Sequence, residues 1–236
     1  MQTSVVASPI VAHRWQASSV SISVVDPGPG TGLTKAELQT VAERAIDAWK
    51  RSCQDCNLPR IILQPVSRGV VREDGTNVLL LRTGLWCPPE DRDTLDCYDP
   101  GRAAITHSYP VPDADGHLLR EADIELNAIH YRWSPRDEAP EGVSLDAVVL
   151  HEIGHFYGLI HSAVPSAVMY SQEVRPGKML PLVPTSDDIA ALRALYPRPM
   201  SAGQMAAYCL ATVCTVALVM IYGRRVLHRW RSWSRR

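Results

Sequence analysis

His151-Glu152-Ile153-Gly154-His155-Phe156-Tyr157-Gly158-Leu159-Ile160-His161 sets three imidazoles and one carboxylate at the spacing H-E-x-x-H-x-x-G-x-x-H. Residues four apart lie on one face of a helix of about 3.6 residues per turn, so His151 and His155 can grip a single ion. Glu152 stands one position round from His151, within reach of a water at an open coordination position without being a ligand itself. For a third imidazole to arrive, the helix must stop and the chain turn back, and Gly158 tolerates the positive φ that such a stop requires. Three neutral imidazoles leave a zinc ion its charge and one open position, where water is acidified to a pKa of roughly 7. The chemistry indicated is metal-assisted hydrolysis with Glu152 as general base. A helix that carried histidines only for packing would not need five specified residues at fixed offsets.

These residues require a buried helix. Ser144 can cap one whose Leu145, Val148, Val149, Ile153 and Phe156 recur at helical spacing, with Asp146 in the first turn. Earlier in the chain, Thr34 and Glu37 form a capping-box signature ahead of Leu38, Val41, Ala42, Ala45, Ile46 and Trp49, a long amphipathic helix. Thr185 and Asp188 form a second such signature before Ile189, Leu192 and Leu195. Val20, Ile22 and Val24 alternate ahead of the Pro27-Gly28-Pro29-Gly30 break. The segments 60–64, 77–81, 103–107 and 122–127 are short apolar or alternating runs bounded by Pro, Gly and Asp. The expected fold class is α+β: a twisted mixed five-stranded sheet backed by two long helices, with a C-terminal helix after them.

Ser166-Ala167-Val168-Met169-Tyr170, eight residues after His161, resembles the Met-turn of the metzincin clan, which would place Met169 beneath the three imidazoles. Ser162, directly after the third histidine, resembles the matrixins within that clan. So do Asp187-Asp188-Ile189 with Leu192, Leu195, Tyr196 and Pro197. Glu121 to Asn127 and Tyr131-Arg132-Trp133 are similar to the strand and loop before the active-site helix of matrixin-like bacterial proteins. The resemblance runs from about Trp15 to Pro197 and implies a zincin domain hydrolysing peptide bonds, with one catalytic Zn2+ on His151, His155 and His161. Glu152 would be the catalytic base, and a protein or peptide the substrate. It also implies an edge strand near 103–109 that pairs with extended substrate. Two features depart from the family: Ser171-Gln172 stands where animal matrixins have Pro-x-Tyr, and no cysteine-switch motif is present. His107 and His117 with Asp113 and Asp115 are similar in type, not in spacing, to a structural zinc or calcium loop, and solvated loop residues are the expected reading. The alternative function is a zinc-binding but inactive ectodomain serving recognition or adhesion; retention of Glu152 counts against it.

From Met205 to Tyr222 no residue is charged, and the segment has about the 17 to 25 residues that a bilayer-spanning helix needs. Arg224, Arg225, Arg229, Arg231, Arg235 and Arg236 follow, with Trp230 and Trp233 among them, a composition suited to lipid headgroups. The expected organisation is an N-terminal extension over 1–14 and a catalytic domain over 15–198. A linker and a single transmembrane helix follow over 199–223, then a basic tail over 224–236. Positive charge beside the span places the tail in the cytoplasm and the catalytic domain outside. Residues 1–12 do not read as a signal peptide, so an incomplete start, an unusual export route and a tail-anchored cytoplasmic enzyme all stay open.

The net charge of -1 conceals an asymmetry: without the six tail arginines, 18 basic residues remain of 24, against 25 acidic, a net of -7. That excludes nucleic acid as a partner of the globular part. A monomer is expected. Cys209 and Cys214 lie in the apolar span. Cys53, Cys56, Cys87 and Cys97 allow three disulfide connectivities, among them Cys53 with Cys56 and Cys87 with Cys97, while a second zinc held by four thiolates is the alternative.

Overall fold

The computed structural model describes residues 12–88, 97–111, 118–135, 142–198, 201, 203–206, 215 and 220. The chain divides into two compact units, Met1–Pro197 and Arg198–Arg236. In the second, 203–206, 215 and 220 are helical. Most of the 205–222 stretch read as a span, including Cys209 and Cys214, lies outside the described residues, as does the arginine tail. Among the described residues, no helix is long and apolar enough to cross a membrane.

The first unit runs β1 (Arg14–Trp15), β2 (Ser19–Val25), α1 (Lys35–Ser52), β3 (Arg60–Val66), β4 (Val78–Arg82), β5 (Ala104–Val111), β6 (Leu118–Asn127), β7 (Trp133–Ser134), β8 (Val143–Ser144), α2 (Leu145–Phe156) and α3 (Ser186–Leu195). Strands β3, β2, β4 and β6 lie side by side in parallel, β5 pairs antiparallel with β6, and β1 adds a short parallel pairing to β6. The sheet therefore has six strands, and the expectation of five is corrected. The five runs legible in the sequence coincide with β2 to β6, whereas β1 is two residues long and cannot display a period. It is held by tertiary contacts instead: the Trp15 N–H donates to the Tyr196 hydroxyl (3.0 Å) and its indole Nε1 to the Phe156 carbonyl (2.6 Å). His13 joins it by donating its N–H to the Gly158 carbonyl at 3.3 Å. Strands β7 and β8 form a separate small sheet.

α1 begins where its capping box predicts: Glu37 N–H donates to Thr34 Oγ1 (3.2 Å) and Glu37 Oε2 accepts from the Thr34 N–H (2.8 Å). Its buried stripe, Leu38, Val41, Ala42, Ala45, Ile46 and Trp49, lies in the main core with Ile22, Val24, Leu79, Ile124 and Leu126 of the sheet. Trp49 Nε1 donates to the Leu150 carbonyl (2.9 Å), and Arg44 forms two bonds to Asp146 (2.8 and 2.9 Å), so α1 buttresses α2 at two levels.

β6 alternates, with Ala122, Ile124 and Leu126 in the core and Glu121, Asp123 and Glu125 on the opposite face. All three acids are fully buried. Their charges are met by backbone and cations: Asp123 accepts from the Arg72 and Val78 N–H groups (both 2.9 Å), Glu121 from those of Asp74 (3.1 Å) and Gly75, and Glu125 from Arg82 and His107. His107 is thus a partner of Glu125 at 2.8 Å and not a solvated loop residue. Asp113, Asp115 and His117 lie outside the described residues.

Burial pushes the Asp123 carboxyl up to about 7, with the Glu121 charge adding to it and the two N–H donors opposing. An unfolded Asp loses its proton near pH ~3.9, so the folded state holds an extra proton between there and about 7. The resulting stabilisation is full below about 4 and is lost as pH rises through about 7. Between pH 5 and 7 the wild-type stability, minus that of Asp123→Asn, is expected to fall with rising pH by up to about 1.4 kcal/mol per unit. Urea titrations of both proteins across that range check it, and a flat difference contradicts it.

Candidate metal centre

α2 starts on Ser144, whose Oγ accepts from the Ala147 N–H at 3.2 Å, and presents His151 and His155 one turn apart with ring centroids 4.7 Å from each other. The helix ends at Phe156. The Leu159 N–H bonds back to the Gly154 carbonyl (3.0 Å), and Gly158 takes φ +93°. That turn returns His161 to 5.3 Å from His151 and 4.8 Å from His155, centroid to centroid. One ring nitrogen from each histidine lies within 4.8 Å of the others.

The Nδ1 atoms of His151 and His155 lie 2.7 Å from the carbonyls of Val168 and Leu159. A carbonyl only accepts, so each Nδ1 carries the hydrogen and each Nε2 keeps its lone pair. Burial, with the neighbouring His151 adding, pulls His155 down to about 3, and burial also lowers His161; His155 is therefore neutral at pH 7. Three imidazole donors converging on one point, two of them oriented by backbone carbonyls, fit Zn2+. These residues form the candidate zinc-binding site.

Glu152 is buried at 5% exposure beside His151. Burial raises its pKa, opposed chiefly by the His151 charge and by a hydrogen bond from Thr106. Thr106, on β5, donates Oγ1 to Glu152 Oε2 at 2.5 Å. The sequence reading did not single out Thr106. Its alternation on the strand marks which face it takes, and nothing local shows that a helix 46 residues later presents a carboxylate to it.

Met169, which the resemblance would place beneath the imidazoles, packs against α2 at Gly154, one residue before His155. A Cβ built on Gly154 would come 2.3 Å from Met169 Sδ and 2.8 Å from Trp49 Cζ2, so this mid-helix position must be glycine for the methionine to sit against the helix. The only sequence signal was a glycine within a helical pattern. Asp188, 1% exposed, fixes the turn: it accepts from the N–H groups of Val168 (2.9 Å), Met169 (3.0 Å) and Thr185 (2.8 Å). Its capping box thus also anchors the Met-turn to α3. Ser162 has a local role too, donating Oγ to Asp187 (2.6 Å) while its N–H meets the Met169 carbonyl (2.8 Å).

Cys53 is bonded to Cys56 and Cys87 to Cys97. This leaves no four-thiolate zinc site.

A cleft of about 1000 Å³ opens over the histidines. One wall is β5, which pairs only with β6 among the described residues and turns its other edge to the cleft. The opposite wall includes Tyr170 to Val174, Leu180 and Pro181, so Ser171-Gln172 occupies the pocket wall.

Residues 89–197 match the family model for matrixin. Over 187 residues, 79% of this chain, it is 23% identical to stromelysin-1 of Mus musculus, covering 33% of that protein. It is 37% identical over 89 residues to matrix metalloproteinase-19 of the same species, 36% of this chain and 16% of that protein. To karilysin of Tannerella forsythia it is 29% identical over 119 residues, 50% of this chain and 23% of that one. The chain spans about a third of the length of the stromelysin it matches. The three histidines, Glu152 and the Met-turn all fall inside the matched segment, and the domain that holds them is matrixin-like.

Proposed function

We propose that this chain is a zinc-dependent endopeptidase anchored in a membrane. The observation that carries the reading is the convergence of three imidazoles within 4.8 Å beside a buried Glu152. His151, His155 and His161 would hold the metal. When bound, zinc supplies a Lewis acid that acidifies water and polarises the scissile carbonyl. Thr106 engages Glu152 Oε2 and leaves Oε1 to take the proton of the attacking water, which Glu152 then delivers to the leaving amine nitrogen. An extended peptide pairs with the free edge of β5, where main-chain bonds give affinity and the cleft wall gives specificity. The matrixin likeness supports a protein or peptide as the substrate.

The test is proteolysis of an unstructured protein by the zinc-loaded chain and by Glu152→Ala. Equal rates, or no cleavage by an intact zinc-loaded chain across varied substrates, remove the enzyme reading. Less than about half an equivalent of zinc under metal-replete conditions removes the metal.

The uncharged run 205–222 and the arginines after it support the anchor, with the catalytic domain on the extracytoplasmic side and the tail on anionic lipid. Expressed in cells, the full chain is expected to stay with membranes under alkaline carbonate, and a chain ending at residue 198 to be released. Release of both would end the anchoring proposal.

A further inference from the structure

Among the described residues that line the cleft, Arg102 is the only arginine or lysine. Its main chain is pinned on both sides: the N–H donates to the Asp99 carbonyl (2.9 Å), and its own carbonyl accepts from Asn127 Nδ2 (3.1 Å). The buried Asn127 also donates its N–H to the Ala103 carbonyl at 2.8 Å, so the start of β5 is tied to the end of β6 at this point. The guanidinium, by contrast, makes no hydrogen bond or ion pair among the described residues. The acids sharing the cleft do not neutralise it: Asp99 Oδ1 is occupied by the Gly101 N–H (2.8 Å), Glu152 Oε2 by Thr106, and neither they nor Glu173 comes within ion-pair distance of Arg102.

A cation with a fixed root, no protein partner and a place beside the edge strand and the metal ligands is arranged to receive an anion from the substrate. Arginine presents a planar fork of donors that matches a carboxylate in a bidentate pair. We infer that Arg102 is a specificity-determining residue that selects peptides carrying a carboxylate at a fixed distance from the scissile bond. This deepens the peptidase reading and rests on it. The carboxylate has two sources, an Asp or Glu side chain within the peptide or the free C-terminus of a short one. Asp99 and Glu173 also line the cleft, so a substrate carboxylate placed against either of them instead of against Arg102 is repelled.

The experiment measures selectivity ratios within one enzyme, so that differences in folding or active fraction cancel. In the first arm, a neutral peptide with an amidated C-terminus carries Glu in place of Gln at successive positions, and kcat/KM is compared for each pair. In the second, the neutral peptide is compared with free and with amidated C-terminus at several lengths. The zinc-loaded wild type is expected to prefer the carboxylate by about tenfold at one position of one arm, and that ratio to approach one in Arg102→Ala. Arg102→Glu is expected to prefer Lys over Glu at the same position. A response in the first arm identifies a side chain, and in the second the terminus. Ratios that agree within about twofold between wild type and Arg102→Ala at every position of both arms overturn the inference. The same ratios are measured as Kd by fluorescence anisotropy, on zinc-loaded Glu152→Ala with and without Arg102→Ala. If the wild type cleaves nothing, the peptidase reading falls while the binding ratios still decide the role of Arg102.

Discussion

Zinc-loaded Glu152→Gln is expected to retain its metal and its melting temperature and to lose kcat/KM by about 10³-fold, within the 10²–10⁴ range typical of a general acid–base. The substitution is isosteric, and an amide oxygen can still accept from Thr106, so the packing around the site is preserved. The group lost is the one that accepts the proton of water. Loss of kcat with little change in KM is the expected pattern, because Glu152 is not a ligand and contributes in the transition state. Steady-state kinetics on a peptide, paired with metal analysis of the same sample, decide it. A tenfold effect or less with full zinc would show that another group takes the proton.

Gly158→Ala is expected to be among the most damaging single substitutions in the domain. Two costs coincide at this position. At φ +93° an L side chain is strained, typically by 1–2 kcal/mol. In addition, the new Cβ would stand 1.6 Å from the His13 carbonyl oxygen, which no rotamer can relieve because the backbone fixes the position of a Cβ and the oxygen belongs to the backbone. Relief requires either β1 to leave, forfeiting the bonds of Trp15 to Phe156 and Tyr196, or the turn to change shape, displacing His161. The expected destabilisation exceeds about 3 kcal/mol, equivalent to roughly 6–12 °C in a domain of this size. Zinc affinity is expected to fall with it. Thermal melts with and without zinc measure both; a variant melting within about 2 °C of wild type would falsify the requirement for glycine here.

The parts of the fold legible in the sequence are those set by local periodicity and local hydrogen bonds. The caps at Thr34, Ser144 and Thr185 and the helical stripe of α1 depend on residues three or four apart, and the structure has them where that spacing puts them. The alternating strands β2 to β6 are of the same kind. Strand β1 was not legible because two residues carry no alternation, and its place is set by contacts with Phe156 and Tyr196. The alternation of Glu121, Asp123 and Glu125 marks a polar face. That the face is buried depends on the 72–78 segment folding over it with four backbone N–H groups aimed at Glu121 and Asp123.

At the site, the sequence by itself determined the candidate donor set and the carboxylate beside it. The offsets of His151, Glu152 and His155 become geometry as soon as the segment is helical, and helix formation is a local matter. Tertiary structure decided everything that meets that helix from elsewhere in the chain. Carbonyls of Val168 and Leu159 fix the tautomers, Asp188 holds Met169 under Gly154, Thr106 reaches Glu152, and Arg102 stands unpaired in the cleft. Each of these depends on segments brought together by packing, and composition or spacing around any one of them carries no record of the other. The sequence states which atoms can bind the metal and move the proton; the fold sets their orientation and what faces the substrate.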